Sequence, residues 1–156
     1  MLVILSEAKD LFFAFLYTVT LLSIAVLTPA CAKKQKGEPV TPKDGSFSID
    51  VSGIKKGEVR FYRYLAGDKA VVFFVARTSS GDIKTAFDAC VTCYPNKMGY
   101  RQAGSRVECI FCDTAFDIDD IDKGEGNCYP IKIEHLVEGG RVIISQAEIE
   151  KGASFF

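Results

Sequence analysis

Glu58-Val-Arg-Phe-Tyr-Arg-Tyr-Leu65, Ala66-Gly-Asp-Lys69 and Ala70-Val-Val-Phe-Phe-Val-Ala76 follow one another without a break, and their order decides the fold class. The first run is rich in β-branched and aromatic residues. The second carries the Gly-Asp signature of a hairpin turn, and the third is continuously apolar, as in a strand buried on both faces. Working outward, Ser79-Ser-Gly-Asp82 reads as another turn and Ile83-Lys-Thr-Ala-Phe87 as a strand. Phe47-Ser-Ile-Asp-Val51 alternates apolar and polar, as a half-buried strand does. Arg141-Val-Ile-Ile-Ser145 follows the turn residues Gly139-Gly140 and is again strand-like, and Gln146 to Lys151 reads as a short helical turn. Long helical periodicity is missing after residue 45. The expectation is a mainly β domain over residues 47–156, a small β-sandwich or barrel-like fold.

The residues before it differ in kind. Leu11 to Ala30 carries no charged side chain. As a helix its length matches the apolar thickness of a bilayer, and it lacks the polar face of a soluble helix. Residues 1–30 are therefore read as a signal peptide or membrane anchor, an N-terminal apolar helix. Leu27-Thr-Pro-Ala-Cys31 resembles a bacterial lipoprotein signal in which Cys31 receives the lipid. Lys33, Lys34 and Lys36 after the run favour an uncleaved anchor instead, by the positive-inside rule. A plain cleaved signal is the third alternative. Residues 31–46, rich in Lys, Pro and Gly, read as a flexible tether. The expected location is membrane-anchored, on the periplasmic or extracytoplasmic side.

Composition removes several function classes. The 19 Lys and Arg against 20 Asp and Glu leave no positive excess for a nucleic-acid binder. The single histidine, His135, excludes a His-His-Cys-Cys iron site and a zincin motif, and it reads as a hydrogen-bonded strand residue. No nucleophile–base pair or carboxylate dyad stands out, so no enzyme active site is expected.

Cysteine placement carries the chemistry. Five of the 6 cysteines fall between residues 90 and 128. Cys90-Val-Thr-Cys93 and Cys109-Ile-Phe-Cys112 are two C-x2-C pairs, the spacing of four-thiolate metal sites. A two-residue gap lets both thiolates of a pair turn to one side, and two such turns supply tetrahedral corners. Gly99 and Gly104 suit a hairpin that brings the pairs together. Disulfides are the rival reading in an exported domain. A thioredoxin-like centre lacks its strand–helix context, and Tyr94 and Asp113 stand where haem attachment requires His. Cys128, in the loop Gly124-Glu-Gly-Asn-Cys-Tyr-Pro130, is either incidental or an extra, exchangeable ligand. Asp117, Asp119, Asp120, Asp122 and Glu125 do not fit a calcium loop, because Ile121 or Gly124 falls where a ligand is needed; they read as a solvated face able to steer a basic partner.

Ala86-Phe-Asp-Ala-Cys-Val-Thr-Cys-Tyr-Pro95, Gly99-Tyr100, Val107-Glu-Cys-Ile-Phe-Cys112 and Gly126-Asn-Cys-Tyr-Pro-Ile131, in that order, resemble the FtrD-like family of membrane iron–sulfur proteins. Tyr129 departs from the family's more frequent Asn, and one apolar segment does not suit a permease. The resemblance implies a bacterial membrane system for iron uptake or electron transfer, with Cys90, Cys93, Cys109, Cys112 and Cys128 as cysteines of an iron–sulfur centre. A weaker likeness, in the order of cysteine loop, hairpin and cysteine loop, is to Rieske-type domains; a rubredoxin- or zinc-ribbon-like arrangement of the two metal loops is the alternative. The function expected is membrane-tethered electron transfer with an unidentified redox partner protein. The alternatives are a structural or delivery site for zinc or copper, since thiolates discriminate poorly among soft metals, and a thiol–disulfide redox protein.

Overall fold

The computed structural model describes residues 35–124, 126 and 128–156. The apolar segment, Cys31 and the start of the tether lie outside the described residues. Among the described residues no helix is long and apolar enough to cross a membrane.

The hairpin read at residues 58–76 forms the centre. β3 (Val59–Ala66) and β4 (Lys69–Arg77) pair antiparallel from Val59↔Ala76 to Ala66↔Lys69. β5 (Ile83–Cys90) continues the sheet antiparallel to β4, β9 (Pro130–Lys132) closes one edge and β1 (Glu38–Pro39) lies parallel to β3 on the other. A second sheet is ordered β10 (Leu136–Glu138), β11 (Arg141–Ser145) and β2 (Ser46–Asp50). The turn between β10 and β11 uses Gly139 and Gly140, both at positive φ, as a tight two-residue hairpin requires. A third sheet is ordered β6 (Tyr100–Ala103), β7 (Arg106–Cys109) and β8 (Ala115–Asp117). The single described α-helix, α1 (Gln146–Lys151), starts where the Ser145 hydroxyl accepts the Glu148 N–H.

The domain is mainly β, as read from sequence, but it has three sheets where a two-sheet sandwich or a barrel was expected. The reason lies in β4. Phe73, Phe74, Val75 and Ala76 are all fully buried, and successive side chains point to opposite faces. Both faces of the central sheet therefore need cover. Val71, Phe73 and Val75 meet Phe47, Val142, Ile144 and Ile149 on one side. Phe74 and Ala76 meet Tyr100, Val107, Ile118 and Ile121 on the other. The stretch expected as a flexible tether is docked from residue 36 onward. β1 pairs with β3, and Lys36 reaches inward to Asp88.

Candidate metal centre

β5 alternates like its neighbours. Phe87 and Ala89 face one core; Ala86 and Cys90 face the other. Cys90 ends the strand, 2% exposed. The chain then turns, with the Cys93 N–H directed at the Cys90 sulfur at 3.4 Å and a short 3-10 turn over Tyr94–Asn96. β6 and β7 follow as a hairpin in which Tyr100 stands opposite Cys109. Cys109 is 1% exposed at the end of β7. Its backbone N–H binds the Thr114 carbonyl and its carbonyl accepts from Asp113, each at 2.9 Å, so residues 109–114 close into a tight turn. That turn leaves Cys112 exposed. Cys128 arrives separately. Pro130 pairs with Cys90 at the start of β9, and the Val91 N–H binds the Tyr129 carbonyl, which carries Cys128 over the end of β5.

The five sulfurs meet around Cys128. Its Sγ lies 2.7 Å from Cys90, 3.0 Å from Cys112 and 3.7 Å from Cys93. The Sγ atoms of Cys90, Cys93, Cys109 and Cys128 all lie within 4.8 Å of one another. These five cysteines are free thiols. Sequence symmetry pointed to Cys90, Cys93, Cys109 and Cys112, with Cys128 beside them. In the structure Cys128 joins Cys90, Cys93 and Cys109 in one close quartet, and exposed Cys112 lies beside Cys128. The cause is β9, whose pairing with β5 no cysteine spacing reveals.

Ionisation in the cluster is uneven. Burial opposes ionisation of Cys90, but the Cys128 thiol and the Cys93 N–H outweigh it and lower the Cys90 pKa. Contact with Cys128, and then with the Thr114 hydroxyl, holds Cys112 down at about 6. Burial pushes Cys93 up to about 12, with Cys112 and Cys90 adding to the rise, and it raises Cys128 as well. The cluster thus takes on a first negative charge easily and resists the next. A bound cation removes that resistance, because thiolates are its ligands.

Near the sulfurs lies a half-buried ion pair that sequence reading missed. Asp88, 7% exposed, accepts the Tyr100 N–H at 2.7 Å and pairs with Lys36 Nζ at 2.6 Å. Burial raises the Asp88 carboxyl to about 6 against the pull of Lys36. Lys36 also binds the Tyr100 carbonyl and lies 3.9 Å from the centre of the Phe61 ring. Gly99, at φ +68°, has no space for a side chain, since a Cβ there would come within 2.5 Å of the Asp88 carboxylate. Asp88 was legible as the residue two before Cys90 on the same strand face; nothing in the sequence marks Lys36 as its partner.

The remaining candidates are structural. His135 binds Thr85 Oγ1 through Nδ1 at 2.8 Å and the Ile83 carbonyl through Nε2 at 3.2 Å. In the acidic run, Asp117 caps the 3-10 turn at Ile118–Asp120, Asp119 accepts from the Ser79 N–H at 2.8 Å, and Asp122 pairs with Lys84. Glu125 lies outside the described residues.

Residues 54–156 match the family model described as membrane iron–sulfur containing protein, FtrD-like. The chain belongs to the FtrD-like family. Comparison with curated proteins and with solved structures gave no match. Two observations fit this FtrD-like chain to the group its family description names. Its donor set is all thiol, the chemistry that holds iron–sulfur clusters and other soft metals. Its Tyr100 hydroxyl is fully buried with no hydrogen-bond partner, alone among the buried side-chain nitrogens and oxygens of the described residues. Burial and then the Cys90 sulfur suppress its ionisation, which puts this donor beside the Cys90 sulfur.

Proposed function

We propose that this FtrD-like protein is a membrane-tethered electron carrier, not an enzyme, whose iron–sulfur centre is held by Cys90, Cys93, Cys109 and Cys128. The observation that carries the reading is the approach of four free thiols to within 4.8 Å of one another. Thiolates so close repel unless a cation neutralises them. An iron–sulfur group supplies one-electron transfer at a potential set by its charge, burial and hydrogen bonds. The chain's own residues do the rest. β5 and β7 hold Cys90 and Cys109 at fixed positions in the core, and the Tyr100 hydroxyl lies beside the Cys90 sulfur. A cavity of about 630 Å³ borders Cys90, Cys93 and Cys109, and exposed Met98 and Phe111 on its rim offer an apolar surface to a redox partner protein. The membrane system served is one of iron uptake or electron transfer. We place the domain on the extracytoplasmic side, with lipid on Cys31; mass spectrometry of the mature chain tests this, and an unmodified Cys31 removes it.

Metal and sulfide analysis of the full chain purified without oxygen, with its visible spectrum, tests the centre. Iron, acid-labile sulfide and visible absorbance are expected, and each should be lost in Cys109→Ser. Spacing favours one rival. Four bonds of about 2.3 Å to a single tetrahedral ion set sulfurs about 3.8 Å apart, inside the 4.8 Å that encloses the quartet. Zinc or copper without visible cluster absorbance establishes that rival, a structural or delivery site. Protein that holds no metal and takes none up overturns both.

A further inference from the structure

The quartet leaves one thiol over. Cys112 is exposed, whereas Cys90 and Cys109 are buried and Cys93 and Cys128 are half-buried. Its sulfur is nevertheless 3.0 Å from that of Cys128. The second C-x2-C pair therefore spans the wall of the site, with one sulfur in the core and one in solvent. The turn holding them is tied by the Asp113 N–H to the Cys109 carbonyl, and Asp113 sits in the left-handed region at φ +55°.

Charged side chains border the site. Lys36, Lys69 and Lys97 border the cavity that reaches Cys90, Cys93 and Cys109. They face Asp68 and an Asp88 already paired with Lys36. Cys112 is followed by exposed Asp113, and Arg101 pairs with both Glu108 and Asp113. An exposed carboxylate beside Cys112 favours the approach of a cation there.

Building on the reading of the quartet as a metal site, we infer that Cys112 is the receiving thiol, which takes a thiophilic ion from a thiol-bearing donor and passes it to Cys128. In the first step the bond from the ion to the donor sulfur breaks as a bond to Cys112 Sγ forms; the Cys112 proton goes to solvent or to the departing donor thiolate. In the second step Cys128 Sγ gives up its proton and binds the ion, the bond to Cys112 breaks, and Cys112 is reprotonated. No electrons are transferred. The short distance between the two sulfurs lets the ion cross without movement of the strands.

Cadmium transfer to the reduced, metal-free full chain tests the inference, with a cadmium–glutathione complex as donor and the cadmium–thiolate absorbance as readout. Cys112→Ser keeps a side chain that hydrogen-bonds Thr114 in place of the thiol, which lies 3.3 Å from Thr114 Oγ1. The expected result is wild-type stoichiometry and final absorbance, reached about tenfold more slowly, because the exposed sulfur is the one the donor complex can reach. Cys128→Ser should lower the final absorbance. A Cys112→Ser chain that loads at the wild-type rate overturns the inference alone. One with a lowered final absorbance also overturns it, by making Cys112 a resident ligand. A wild-type chain that takes up no cadmium overturns the metal-site reading and this inference together.

Discussion

The two faces of the central sheet are made from the same strands and have opposite chemistry. On the face covered by β2, β11 and α1, Phe47, Phe73, Val75, Val142 and Ile144 interlock with no buried charge among them. On the face covered by β6, β7 and β8, the same β4 and β5 contribute Phe74, Ala86 and Cys90, and the wall behind includes Asp88 and the unpaired Tyr100 hydroxyl. One residue's shift along β5 separates Phe87 from Asp88. The period-two alternation of a strand thus lets one short segment serve stability on one side and ligand chemistry on the other. A dry apolar layer can offset the cost of a polar one.

The comparison breaks if damage to the apolar face reaches the cysteines. Phe73→Ala, which removes a fully buried ring in contact with Phe47 and Tyr62, should lower unfolding stability by about 3–5 kcal/mol. Chemical denaturation measures this, and metal bound per folded molecule should stay at the wild-type value. Gly99→Ala strikes the other face. A Cβ at positive φ against Asp88 should cost about 1–3 kcal/mol and, unlike Phe73→Ala, should also reduce metal bound per folded molecule.

Tyr100→Phe sharpens the contrast, because its two effects have opposite signs. Removing an orphan hydroxyl should leave the metal-free chain as stable as before, or up to about 1 kcal/mol more stable. The loaded chain should bind metal about tenfold more weakly, and any reduction potential should move negative, since a donor to sulfur favours the more negative state. Competition with a chelator and a redox titration read these. The smallest effect concerns the clasp between the acidic run and the β4–β5 turn. The Ser79 hydroxyl, and then its N–H, hold the Asp119 carboxyl below its usual range. The clasp's contribution is therefore complete above the ordinary carboxylate range and is lost as the pH falls through the lowered Asp119 value. Ser79→Ala should flatten that acid-side decline slightly in unfolding measured between pH 7 and pH 3.

Much of this was legible in the chain. Continuous apolar character at residues 70–76 announced a strand buried on both faces, and Gly-rich turns bounded β3, β4 and β11. The third sheet follows from that doubly buried strand, although a sandwich was the simpler expectation. The C-x2-C spacing located four of the five sulfurs, because it encodes local geometry. It could not rank Cys128 above Cys112, since that depends on β9 returning beside β5, a contact between residues 38 apart. Lys36 was hidden for the same reason: its partner Asp88 is 52 residues away, and a Lys in a polar stretch looks like any other.

The docking of Lys36 gives the domain a defined load path. Tension applied at residue 35 falls first on the Lys36–Asp88 pair and on the two-residue β1 ladder, ahead of the long β3–β4 seam. Asp88 is two residues from Cys90 and holds the first residue of β6 through its N–H. A pull from the N-terminal side is thus delivered to the strand that carries Cys90, rather than dissipated in slack chain. A handle or spacer inserted after residue 36 would leave Lys36 on the far side of the insertion from β1, and two attachments that now share a short segment would bear force separately.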